Sequence, residues 1–491
     1  MTMRLSPSLL LLAGCLGLAS QTAAMESFIV GPRALGMGGA NTASTDDVDA
    51  QYYNPAAFGF FAYGAPPKEQ KDKGPFSVDN NALWEKDWGV GADFAVGARL
   101  HGNFGQYINT LSDSQSTIDR IGTSGLTNQQ DINDLVRLTN ALANLAVGQN
   151  AFSVDTNAGL GMRIGHFGLG VRTFSQITGV AVVDTVNVGI PGAGTFSTAV
   201  VATGGATDGQ IVLLNGLAAA GISNQAIQIL DLAARQQGVT PQEAAALTAL
   251  LINANAAYGT STYDNNLTRA VVTGYGIAEM PLSYGYALNE HLSFGGSLKL
   301  MLGRVYATEV AVFQDDISGQ ISAAKEHYEK SINVGLDLGV MARVRMFNVG
   351  LTARNVNAPT FKGPTVNGKR YSDVTLDPQI VAGGAFIPFE WLTVAVDLDL
   401  TPNETALPGY HTQMGRLGLE FNPFHFLALR GGLSQNLAER DVGTLAHLGL
   451  GLNLLAIRLD VAGSMALEKT TYNGSQIPQE ARVAAALSVD F

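Results

Sequence analysis

Apolar and polar positions alternate with a period of two along much of this chain. Leu392, Val394, Val396, Leu398 and Leu400 are interleaved with Thr393, Ala395, Asp397 and Asp399, and Ile332, Val334, Leu336, Leu338 and Val340 with Asn333, Gly335, Asp337 and Gly339. Successive side chains of a strand point to opposite faces, so each run reads as a strand with one apolar face. The other face carries glycine, small polar and charged residues. The pattern predicts about fourteen strands, near 88–100, 153–165, 167–178, 268–287, 291–303, 331–343, 347–356, 377–387, 391–401, 413–421, 424–434, 442–454, 456–466 and 481–491.

The connections alternate too. Those at 166, 289–290, 344–346, 388–390, 422–423 and 455 are tight, and those at 101–152, 179–267, 304–330, 357–376, 402–412, 435–441 and 467–480 are longer. In a soluble sandwich the apolar face would cover a core. In a transmembrane barrel it meets lipid, and short turns at one end with long loops at the other are required. The loop pattern selects the second: an all-β fold, a transmembrane barrel of about fourteen antiparallel strands spanning residues 88–491.

Two loop insertions, about 101–152 and 179–267, carry helical patterns. Asp131 can begin a helix with Ile132, Leu135, Leu138, Leu142 and Leu145 on one stripe; Ser223 can cap a second, with Ile227 and Leu230. Thr240-Pro241-Gln242-Glu243 is a capping box with proline at the first helical position, ahead of Leu247, Leu250, Leu251 and Ala254. Two readings stay open. The stripes pack on one another as a cap, or Leu135, Leu142, Leu230, Leu247, Leu250 and Leu251 line a cleft that receives a hydrophobic small molecule.

Composition agrees with a barrel. Charged residues are 14 % of the 491, against about 25 % in an ordinary soluble domain. No stretch after the leader approaches the ~18 apolar residues of a spanning helix. The net charge of −12 disfavours nucleic acid. The start, Met-Thr-Met-Arg followed by apolar Leu9–Ala19 and small Thr22-Ala23-Ala24, predicts a signal peptide over 1–24. The only cysteine, Cys15, lies within it, so no disulfide framework or thiol site is expected in the mature chain. Leu12-Ala13-Gly14-Cys15 also reads as a lipoprotein signal, which leaves lipidation at Cys15 open.

Charged residues fall on the non-apolar strand faces, among them Asp337, Asp397, Asp399, Arg416, Glu420, Arg430, Arg458 and Asp460. Charges withdrawn from water need partners. A network tying the strands together, with Arg33 against Asp397 or Asp399, is the leading reading; a polar conduit is the other. Catalytic and metal chemistry find no pattern. The seven histidines (101, 166, 291, 327, 411, 425, 447) have no helix-spaced pair, and no G-x-S-x-G elbow is present. The expectation is therefore no enzyme, no metal and no cofactor.

Residues 25–62 do not read as a membrane strand, and with a linker they make up an N-terminal region over 25–87. Arg33-Ala34-Leu35-Gly36-Met37-Gly38-Gly39-Ala40 is glycine-rich, Asp46, Asp47 and Asp49 follow, and Tyr52-Tyr53-Asn54-Pro55-Ala56-Ala57 comes next. Pro55 disfavours helical backbone at Asn54. The run "GPRALGMGGANTASTDDVDAQYYNPAAFG" resembles the N-terminal signature of the FadL/TodX superfamily of outer-membrane proteins, most of all the group labelled conjugal transfer TraF-like. That resemblance implies a barrel of about fourteen strands in the bacterial outer membrane, bathed in its lipid. It implies an N-terminal hatch built on Arg33, Gly36, Gly38, Gly39, Asn54, Pro55 and Ala56, and passive uptake of hydrophobic or amphipathic molecules such as fatty acids. It leaves a second possibility, a conjugation- or secretion-associated scaffold as in the PorV-like branch. The final strand, ending at Phe491, resembles the signal read by the barrel-assembly machinery.

Overall fold

The computed structural model describes residues 23–61, 88–114, 128–146, 150–188, 213–256, 266–311, 327–424, 426–454, 457–472 and 474–490. Most of the leader with Cys15, the stretch 62–87 and Phe491 lie outside the described residues.

Fourteen strands close into one antiparallel barrel. They are β1 (Trp88–His101), β2 (Ala151–Ile164), β3 (Phe167–Val182), β4 (Arg269–Asn289), β5 (Leu292–Ala311), β6 (Tyr328–Val344) and β7 (Phe347–Arg354). β8 (Gln379–Phe389), β9 (Leu392–Asp399), β10 (Met414–Phe421), β11 (Leu427–Asn436), β12 (Thr444–Leu454), β13 (Ile457–Ala466) and β14 (Glu480–Asp490) complete it. Neighbours in the chain are neighbours in the wall, and β14 pairs with β1. Closure leaves no unpaired edge to face lipid.

The alternation reads directly as burial. On β5, Phe294, Leu298, Leu300 and Leu302 are exposed while Ser293, Ser297, Lys299 and Met301 are buried. Aromatic pairs stand at the short-turn end, on the strands and the turns between them: Phe167 with Tyr284, Phe389 stacked on Trp391, Phe424 on Phe426. Such girdles mark the edge of a barrel's lipid belt. β5 runs eight residues past its expected end at 303. Its outward positions there are Arg304, Tyr306 and Thr308, because a strand that has left the lipid no longer needs an apolar face.

Among the described residues the long-loop end carries five helices: α1 (Phe104–Asp113), α2 (Gln129–Ala146), α3 (Leu213–Ala219), α4 (Asn224–Gln236) and α5 (Pro241–Ala256). The expected caps form. Ser223 accepts from the Ala226 amide. Thr240 Oγ1 accepts from the Glu243 amide at 3.3 Å, and Glu243 accepts from the Thr240 amide at 2.9 Å. The sequence reading missed α1, although Phe104, Tyr107, Ile108 and Leu111 have helical spacing.

Residues 23–61 lie inside the bore. Ala23 and Ala24 pair with Val374 and Thr375 in the long loop between β7 and β8. The other end, Phe58–Phe61, packs near the short-turn end with Ala287 and Met341. Between these points the segment touches wall strands on opposite sides, from Gly161 on β2 to Gly418 on β10.

Candidate functional site

The bore, the segment inside it and one stretch of wall form the site. The segment begins with a tight turn at Pro32–Gly36, after which Gly38 and Gly39 take φ of +67° and +86°, backbone that other residues rarely adopt. Gly36 lies so close to Gly449 that a Cβ on it would stand 2.9 Å from the Gly449 Cα. Asn54 is extended (φ −160°), and its side chain accepts from the Ala56 amide to start the 3-10 turn at Pro55. The Asn54 amide donates to Thr42 O and, across to the wall, to Val340 O.

On the β9–β13 side the segment is held by charge. Arg33 donates to both oxygens of Glu420 at 3.0 and 3.2 Å and also meets Asp46 at 3.1 Å. Arg430 bridges Glu420 and Asp460 at 2.6 Å each, and Arg458 joins Asp460 at 2.7 Å. Asp397 does not pair with Arg33, and neither does Asp399. One Asp397 oxygen accepts from the amides of Asn41 and Thr42, both at 2.9 Å, and Asp399 is taken by Arg416. Arg33 is drawn instead to Glu420, both acids of β9 having partners already. Asp337 belongs to a separate group, with Lys299 at 3.0 Å and Asn355. The eight expected charges are therefore three clusters rather than one network.

The β3–β4 side differs. Leu169 pairs with Leu282 and Arg172 with Glu279, but Gly170 and Val171, which pair with Gly161 and Leu160 of β2, are not paired across to Pro281 and Met280 of β4. Among the described residues this is the one break in a wall ladder away from a hairpin. Proline has no N–H to give, and is scarce inside sheets for that reason. Behind the break is a cavity of about 20 Å³, lined by Val48, Asp49, Gln51 and Tyr52 of the segment and by Gly170, Val171, Arg172, Glu279, Pro281, Lys299 and Asp337 of the wall, among others. It has room for a water molecule or two. Asp49 was noted only as one of three acids in the segment, and Gln51 and Pro281 were not singled out from sequence. A proline within an otherwise alternating strand was the available signal.

The six loop leucines are 0–3 % exposed and pack on one another and on their neighbours in one apolar cluster of the helices. Their stripes are thus occupied by the cap itself. A serine-histidine-aspartate sequence of contacts does occur, with Ser153 Oγ 3.4 Å from His101 Nε2 and His101 Nδ1 3.3 Å from Asp441. Tyr410 also donates to Asp441 and its ring covers His101, and Ser153 is only 4 % exposed. This arrangement ties a loop to the barrel mouth and gives a substrate carbonyl no approach to the hydroxyl. Among the described residues no group of side chains is placed to hold a metal ion.

Comparison with known proteins gives a family match over residues 51–399, more than two thirds of the chain, to the F plasmid transfer operon protein TraF. No curated protein matches. Solved structures with similar architecture include the toluene transporter TodX of Pseudomonas putida (12 % identity, 94 % of this chain and 98 % of that one, TM-score 0.43). The monoaromatic hydrocarbon channel CymD has 13 % identity over 95 % of this chain and 99 % of its own, with a TM-score of 0.43. A FadL homologue of Pseudomonas aeruginosa has 10 % identity over 96 % and 99 %, with the same TM-score of 0.43.

Proposed function

The chain belongs to the family of the F plasmid transfer operon protein TraF, and we propose that it is an outer-membrane conduit for hydrophobic or amphipathic small molecules, delivered sideways through the barrel wall. The interrupted β3–β4 ladder, with a cavity behind it, carries this reading. An apolar solute gains nothing by crossing water, and a gap in the wall at the level of the lipid belt lets it leave directly into the membrane. The outward residues beside the gap, Leu160, Leu169 and Val171, are exposed and apolar. The segment 25–61 acts as a hatch: it fills the bore, and its displacement opens the path.

The cavity also bears on the ligand. Asp49, Glu279 and Asp337 face it with Arg172 and Lys299, so acids outnumber bases and both cations are already paired. A carboxylate would have to break a buried pair to enter. Among amphiphiles the reading therefore favours neutral ones over the anions of fatty acids.

The test uses vesicles with a lipopolysaccharide outer leaflet that carry the purified full chain. Toluene and dodecanol are expected to enter severalfold faster than into protein-free vesicles, and dodecanoate less so. Equal entry with and without the chain overturns the reading. The sealed packing of the helical cap favours a second reading, a surface scaffold without transport. Equal entry together with a protein bound in fixed ratio after gentle extraction supports that one.

A further inference from the structure

The uptake reading leaves open what keeps the wall shut at a place where its own ladder does not. One side chain of the bore segment stands there. Gln51 is 7 % exposed, and its Nε2 donates to Leu169 O at 2.8 Å and to Met162 O at 3.4 Å. It reaches these carbonyls because three wall positions around it are glycine. A Cβ on Gly168 would lie 2.9 Å from Gln51 Cγ, and one on Gly170 3.0 Å from Gln51 Oε1. One on Gly161 would lie 3.2 Å from Val48 and 3.6 Å from Gln51 Nε2. The glycines form a notch in β2 and β3 at the point where the bridge to β4 is missing, and the Gln51 side chain fills it between Val48 and Phe58.

We propose that Gln51 is the latch of the β3–β4 seam, closing the gap by occupying this notch and opening it when its amide is released. This rests on the uptake reading. The chemistry suits a part that must come and go. A neutral amide exchanges a protein carbonyl for water at little net cost. The buried ion pairs that hold the segment, those on the opposite side of the bore and Asp49–Arg172 beside Gln51, cannot be parted so cheaply. Tyr52, the next residue, lines the same cavity, and Arg354 lies over its ring at 4.4 Å. Withdrawal of the Gln51 side chain alone enlarges the cavity and unfills the notch in one movement, while the turn Ala50–Tyr53 stays held by the Asp49–Arg172 pair and by Thr352 on the Tyr53 carbonyl. Gln51 is a positioning residue: it acts on ligand through the wall.

The experiment compares the full chain with Gln51→Ala and Gln51→Leu in the same vesicles. It reads hydrogen exchange over Leu169–Arg172, exchange over Leu417–Phe421 as the control on the opposite wall, and toluene entry. Folding of each variant is checked by its heat-dependent gel migration, and if Gln51→Ala does not fold, Gln51→Leu decides. Both variants are expected to exchange the seam amides and pass toluene severalfold faster, with the control unchanged. Unchanged exchange at the seam in both overturns the latch. So does a Gln51→Leu protein that matches wild type, since filled volume rather than the amide bonds would then hold the seam. Faster seam exchange with no toluene entry in any of the three proteins supports the latch and overturns the uptake reading instead.

Discussion

The two sides of the bore hold the same segment by different chemistry. Toward β9–β13 it is pinned by Arg33, Glu420, Arg430 and Asp460, a chain of charge-assisted bonds of 2.6–3.2 Å. Toward β3–β4 it is held by one ion pair, Asp49 with Arg172 at 2.9 Å, and by the neutral Gln51 amide on two backbone carbonyls at the break. Buried ions are costly to separate and neutral hydrogen bonds are not. The contrast sets a side held by a network of ions against one held by a single pair and a releasable amide, and it places the releasable contact where the ladder is interrupted.

The largest effect is expected from Glu420→Ala. It strands Arg33 and Arg430 without their shared carboxylate, and the loss of a buried partner costs about 3–5 kcal/mol. Unfolding in urea, followed by tryptophan fluorescence in micelles, measures it. A loss no greater than that of Gln51→Ala would erase the distinction between the sides. Asp397→Ala is next, because it leaves the amides of Asn41 and Thr42 without an acceptor, at about 1–3 kcal/mol. The same titration reads it.

Pro281→Ala sharpens the comparison from the other side. It returns an N–H to the broken ladder and is expected to stabilise the seam by about 0.5–1.5 kcal/mol. Hydrogen exchange at Gly170 and Val171 should slow, and toluene entry should fall. Unchanged exchange there would mean that the proline is not what breaks the ladder.

The smallest effect concerns pH at the outer end of the same seam. Asp184 follows β3 and accepts from the amides of Val186, Asn187 and Leu267, the last just ahead of β4. Burial pushes its carboxyl up, but the Asn187 side chain and these amides outweigh that and hold it below the usual carboxylate range. A depressed carboxyl contributes its stability above the unfolded value, near 3.9, and loses it as pH falls through the folded value. Beyond the intrinsic pH dependence, exchange at Val186 and Leu267 should therefore rise below about pH 4, an effect that Asp184→Asn removes.

Much of the architecture is legible in the residues. Period-two alternation gives every wall strand, because lipid on one side and a polar interior on the other impose opposite demands on successive residues. The capping box at Thr240–Glu243 and the bend at Asn54-Pro55 are local and read correctly. The partners of the interior charges are less legible. Arg33 and Glu420 are 387 positions apart, and nothing local distinguishes Glu420 from Asp397 as its acceptor. The loop leucines show the same limit, since a helical stripe looks alike whether it meets a ligand or another helix.

The sequence by itself determined the barrel, its fourteen strands, their facing and the helices at one end, since each follows from spacing along a short stretch of chain. Only the tertiary structure decided which charges meet, that the cap consumes its own apolar stripes, and that Gln51 lies in a three-glycine notch beside Pro281. Those facts depend on how residues far apart in the chain are brought round a closed wall, and periodicity holds no record of distance across the bore.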